Sequence, residues 1–156
     1  MNNDEIFLRR AIDLATESVA RQGGPFGAVV VFEGRIVGEG GNRVVPANDP
    51  TAHAEMEAIR AAGAALGRFH LTGCVLYASS EPCPMCLAAA YWARVDRIVF
   101  ANSRAEAAAI GFCDDDLYCE LALPHAKRSV PIAHLPLAGA DEPLKRWRDS
   151  PDKVPY

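Results

Sequence analysis

His53-Ala54-Glu55 and, further along the chain, Pro82-Cys83-Pro84-Met85-Cys86 carry the residue types with the most chemistry in them. One imidazole and two thiolates are donors that zinc favours, and three protein ligands leave a fourth tetrahedral position open for water. A zinc held in that way is a catalyst, because it lowers the pKa of its water from 15.7 to about 7. Glu55, two positions after His53, supplies the carboxylate that such a water needs as proton acceptor. The plain alternative is a closed structural zinc site, completed by Cys113 or by His70, His125 or His134, since CxxC is common in such sites. That reading leaves Glu55 without a task. A thioredoxin-like redox reading of Cys83-Pro84-Met85-Cys86 has no use for His53-Ala54-Glu55.

The elements around these residues must bring them together. Cys83 precedes a proline, which disfavours helical backbone for it, and Pro84 suits a first helical position. Cys83 therefore reads as the N-cap of a helix over 84–93, with Cys86 one turn in and on the same side. His53 and Glu55, two apart, would point to nearly opposite sides of an ideal helix, so a shared site has to lie across the mouth of the helix that follows Asp49-Pro50-Thr51 and fades near Gly67. Upstream, apolar residues at helical spacing over 4–21 end at Gly23-Gly24-Pro25. Residues 28–32 and 36–41, joined by Glu33-Gly34, read as a hairpin. Residues 74–78 read as a buried strand, 98–101 as another, 104–110 as an alanine-rich helix, and 130–137 as a last strand at an edge, given Pro131 and Pro136. Strands alternating with helices after a hairpin imply an α/β domain with a mixed sheet covered on both faces.

The chain has 156 residues, half of them apolar, which suits one globular domain burying roughly 70% of its unfolded surface. No run is apolar enough for a membrane span and the first residues lack a signal-peptide core, so the chain reads as cytosolic. Five cysteines, an odd number without export signals, argue against a disulfide framework. A net charge of −4 gives no electrostatic footprint for nucleic acid, and the basic residues near the end, Lys145, Arg146, Arg148 and Lys153, alternate with acidic ones. A small uncharged substrate fits better than a polyanion.

The spacing of His53, Glu55, Cys83 and Cys86 resembles that of the cytidine deaminase superfamily and, within it, the compact guanine deaminases. The likeness takes in GGPFGAVVV at 23–31, NDPTAHAEMEAIR at 48–60, SSEPCPMCLAAAYWAR at 79–94, GFCDDDLY at 111–118 and the final Tyr156. It implies a three-layer α/β/α fold around a mixed five-stranded sheet, with 1–156 as one zinc-dependent deaminase domain. It also implies a homodimer in which a C-terminal segment, about 140–156, is exchanged so that Tyr156 caps the partner's pocket.

By the same resemblance the cofactor is zinc on His53, Cys83 and Cys86, and the substrate is a free purine base. Asn42 and the backbone beside Ala54 would hydrogen-bond that purine, Phe26 and Trp92 would pack on its faces, and Asp114 would contact its amino group and help shuttle protons. Each has a structural alternative: Asn42 after Gly40-Gly41 as a turn residue, Phe26 and Trp92 as core aromatics, Tyr156 as a frayed end. Asp114-Asp115-Asp116 can equally be a solvated helix start, and the family pattern opens this run with Asp where this chain has Cys113. The expected reaction is hydrolysis of guanine to xanthine and ammonia, with Glu55 as the general acid and base. Other amino-heterocycles (guanosine, tRNA adenosine, cytosine, a triazine) and a non-enzymatic zinc module stand as the alternatives.

Overall fold

The computed structural model describes residues 3–156, in two compact units, 3–114 and 115–156. In the first unit, α1 (Asn3–Ala20) leads into β1 (Gly27–Phe32) and β2 (Arg35–Gly41), then α2 (Val44–Ala47), α3 (Ala54–Leu66), β3 (Cys74–Ser80), α4 (Pro84–Ala93), β4 (Arg97–Asn102) and α5 (Arg104–Ala109). The hairpin turn is Glu33-Gly34, both at positive φ (48° and 74°), the twist that a two-residue hairpin loop requires.

The strands form one sheet in the order β2-β1-β3-β4. β1 is antiparallel to both β2 and β3, while β3 and β4 are parallel. β2, β3 and β4 therefore run the same way and end at the same edge, where the chain also enters β1. Everything that precedes β1 or follows β2, β3 or β4 meets there, and that edge is where an open α/β sheet takes its ligand.

Alternation along the strands divides the core in two. Val29, Val31 and Tyr77 face α1 and pack with Leu14. Ala28, Val30, Leu76 and Ala78 face the other way, with Ala54, Ala58 and Ala62 of α3 and Ala90 and Ala93 of α4. β2 lets α3 lie close because it carries glycines where a side chain would intrude: a Cβ at Gly38 would sit 2.3 Å from Ala58 O, and one at Gly40 2.3 Å from Ala54 O. That contact fixes the start of α3, and with it His53, relative to the sheet.

The expected fifth strand is not found. Among the described residues the sheet has four strands, and 130–137 is exposed, irregular chain. Pro131 and Pro136 fix their own φ and donate no ladder hydrogen bond, so the stretch between them is too short for an unbroken strand. The second unit instead holds α6 (Asp115–Ala122), a 3₁₀ turn at His125–Lys127 and α7 (Glu142–Asp149). No helix is long and apolar enough to cross a membrane among the described residues.

Candidate active site

α3 and α4 open at the same sheet edge, and each is preceded by a residue in extended backbone, His53 (φ −70°, ψ 155°) and Cys83 (φ −65°, ψ 168°). Neither side chain caps its own helix. Each turns toward the other: His53 Nδ1 lies 3.5 Å from Cys83 Sγ and 3.6 Å from Cys86 Sγ. Zinc bonds of about 2.0–2.1 Å to nitrogen and about 2.3 Å to sulfur at a tetrahedral angle place those atoms about 3.6 Å apart. The donor set and its spacing therefore fit zinc without rearrangement. No fourth His, Cys, Asp or Glu joins the three among the described residues, and Cys113 is exposed.

The electrostatics agree with a cation site. A hydrogen bond with Cys86 holds the Cys83 thiol down to about 4, with help from the one to His53, so Cys83 is a thiolate at neutral pH. The same bond to Cys83 and burial push the Cys86 thiol far up. His53 is raised, first by its hydrogen bond to Cys83 and further by the charges of Cys83, Glu55 and Asp114. These groups share protons in a small volume, and a divalent cation takes the protons' place when it binds.

Glu55, in the first turn of α3, is buried, and burial raises its carboxyl toward neutrality although Cys86 hydrogen-bonds to it. A carboxyl whose two protonation states lie closer in energy near neutral pH suits both taking and returning a proton. His53 at the N-cap resolves the problem of its spacing from Glu55, since the ring leaves before the helix begins while the carboxylate leaves from within it.

Other sequence-nominated residues stand on the same edge. Ala54, the first helical residue of α3, is fully buried. Asn42 follows β2 directly and is buried; its Oδ1 accepts from Gly24 N (3.1 Å) and Val44 N (3.3 Å). Asn42 N also donates to Phe26 O at 3.0 Å. Phe26 is half-buried, and Phe112 meets its ring edge-on at 4.8 Å between centroids. Sequence reading passed over Phe112, although its place two residues before Asp114 in GFCDDDLY was a signal. Asp114 is half-buried and close enough for His53 to feel its charge. Trp92 stands apart from that edge. It is exposed near the end of α4, roughly 9 Å along the axis beyond Cys86 at 1.5 Å per residue. Tyr156 ends the second unit and is exposed.

Residues 1–102 match the cytidine and deoxycytidylate deaminase zinc-binding region. The chain belongs to this deaminase family. A guanine deaminase of Bacillus subtilis is 47% identical over 155 residues, 99% of each protein. The X-ray structure of a guanine deaminase from that species superposes with a TM-score of 0.94 at 46% identity, covering 97% of this chain and 98% of that one. A structure of guanine deaminase from Nitrosomonas europaea gives a TM-score of 0.66 at 36% identity over 69% of this chain and 63% of its own. A tRNA-specific adenosine deaminase of Agrobacterium fabrum is 44% identical, but over 94 residues, 60% of this chain and 62% of that protein. The α/β fold with its mixed sheet is thus the deaminase fold, and within its zinc-binding region His53, Cys83 and Cys86 form a group that could hold the metal.

Proposed function

We propose that this protein is a zinc-dependent aminohydrolase converting guanine and water to xanthine and ammonia. The observation that carries the substrate is identity of 47% to a guanine deaminase running through 99% of both chains, where a match to a tRNA-specific adenosine deaminase at 40% covers 72% of this chain. A net charge of −4 weighs against tRNA in the same direction.

His53, Cys83 and Cys86 would hold the metal, which would supply a Lewis acid able to lower the pKa of water toward about 7. The Glu55 carboxylate accepts a proton from the water that attacks C2 of the purine and gives it to the adjacent ring nitrogen. A second proton, delivered by Glu55 or Asp114, converts the amino group into ammonia. The C2–N bond breaks as the new C2–O bond becomes a carbonyl. Asn42 and the backbone beside Ala54 hydrogen-bond the purine, with Phe26 against one of its faces. The two backbone N–H groups on Asn42 Oδ1 support this role, since they fix the plane of the amide.

The protein works as a cytoplasmic homodimer in which the C-terminal segment, about 140–156, is exchanged and Tyr156 lids the partner's pocket. Supporting this, the second unit has no buried residue and exposes Leu117, Leu121, Leu135, Leu144 and Trp147, apolar side chains that a second copy would cover. Ammonia release by zinc-loaded protein from free bases, nucleosides, tRNA and triazines tests the assignment. Guanine should lead by a wide margin; a nucleoside, tRNA or a triazine ahead of it would replace guanine as the substrate.

A further inference from the structure

We infer that Ser18, on α1, is a positioning residue for Asn42, an inference that rests on Asn42 binding the purine. A serine inside a helix ordinarily returns its hydroxyl to a carbonyl one turn back. Thr16 of the same helix does so, donating to Ile12 O at 3.1 Å. Ser18, buried at 5% exposure, instead reaches across to another element and donates to Asn42 O at 2.7 Å. The approach is close because residue 23 has no side chain: a Cβ on Gly23 would lie 2.1 Å from Asn42 O and 2.3 Å from Ser18 Oγ.

Sterics do not do this work. A cavity of about 200 Å³, with Leu14, Ser18, Gly41, Asn42 and Pro46 among its walls, opens beside Asn42. On that side the backbone is held by a hydrogen bond rather than by packing. The remaining anchors, Asn42 N on Phe26 O and the two N–H groups on Oδ1, set the other atoms of the residue. Ser18 completes the set, and the amide then presents one orientation to a ligand.

The test is a double-mutant cycle in the zinc-loaded protein, with kcat, KM for guanine and melting temperature measured for Ser18→Ala, Asn42→Ala and the double variant. Ser18→Ala should raise KM roughly 3- to 10-fold, the usual worth of one neutral hydrogen bond, with kcat unchanged. In the Asn42→Ala background it should leave KM where it is while still lowering the melting temperature. Ser18→Cys, which keeps the volume and a weak donor, should fall between. If Asn42→Ala raises KM and Ser18→Ala does not, or if the two KM effects simply multiply, the positioning role is overturned while Asn42 keeps its own. If Asn42→Ala leaves KM unchanged, the purine contact falls and the inference with it.

Discussion

The start of α5 and the starts of α3 and α4 solve the same problem in opposite ways. A helix N-terminus leaves four backbone N–H groups without intrahelical partners, and a polar side chain at the N-cap usually takes one. α5 does this in full: the Ser103 side chain accepts from Glu106 N while the Glu106 carboxylate accepts from Ser103 N at 2.7 Å. At α3 and α4 the cap residues have the same extended backbone, yet the side chains of His53 and Cys83 make no capping bond and face each other at 3.5 Å. Two helices forgo about 1 kcal/mol of capping each so that their cap side chains stay available to a metal. The compensation is in packing, where α3 lies against the glycines of β2 and Pro84 sets the first turn of α4. Where a good cap is replaced by a worse one that can ligate, function has overridden local stability.

Exchanging the two kinds of cap breaks the comparison most severely. Cys83→Ser puts a better cap on α4 and removes a ligand, so zinc content and turnover should both be lost. After chelation, the variant should melt no lower than the chelated wild type. An active variant without zinc would refute the metal's role, and a much lower melting point after chelation would show that Cys83 stabilises the helix in its own right. Glu55→Gln should cost about 10²- to 10⁴-fold in kcat, the usual share of a general acid and base, with zinc content unchanged. Retained turnover would remove Glu55 from the mechanism.

The site was more legible in the sequence than the chain around it, for identifiable reasons. Ligand chemistry narrows the choice of residues sharply, and Pro84 after Cys83 announces both a helix and its cap, so α4 begins where spacing places it. The hairpin was readable because Glu33-Gly34 separates two apolar runs. The strand expected over 130–137 is absent because Pro131 and Pro136 leave too few ladder donors between them. α7 escaped notice although its signals were present: Asp141 at the N-cap, Pro143 in the first turn, and the i,i+4 pairs Asp141–Lys145 and Glu142–Arg146 at 2.6 and 3.0 Å. Alternating charges were read there as surface, which they are, without the helix that spaces them. Ser18 had no signal at all, since its partner is 24 residues away and only the folded chain joins them.

A smaller effect is expected at the ordinary cap. Ser103→Ala should lower stability by about 1 kcal/mol while zinc content, kcat and KM stay as they are. A change in zinc content would mean that the start of α5 also orders the ligands, through Arg104 N on Glu81 at 2.9 Å, just ahead of Pro82-Cys83.

The start of α1 offers a third case, an acid in the first turn spent on neighbouring strands, and its effect is confined to acidic solution. Asp4 accepts two bonds from Arg97, at 2.7 and 3.0 Å, and one from Tyr77 Oη at 2.6 Å. The Arg97 guanidinium, then the Tyr77 hydroxyl, hold the Asp4 carboxyl down to about 2. An unfolded aspartate titrates near 3.9, so the pair's contribution is fully present above that value and is lost as the pH falls through about 2. The melting temperature of wild type should therefore exceed that of Arg97→Gln by a constant margin from neutrality to about pH 5, and the margin should close as the pH approaches 2. Comparing the two proteins at each pH cancels whatever acid does to the metal ligands, which are the same in both. A margin that persists at pH 2 would assign the effect of Arg97 to its stacking on the Tyr77 ring, 6.0 Å from the centroid, which acid does not touch.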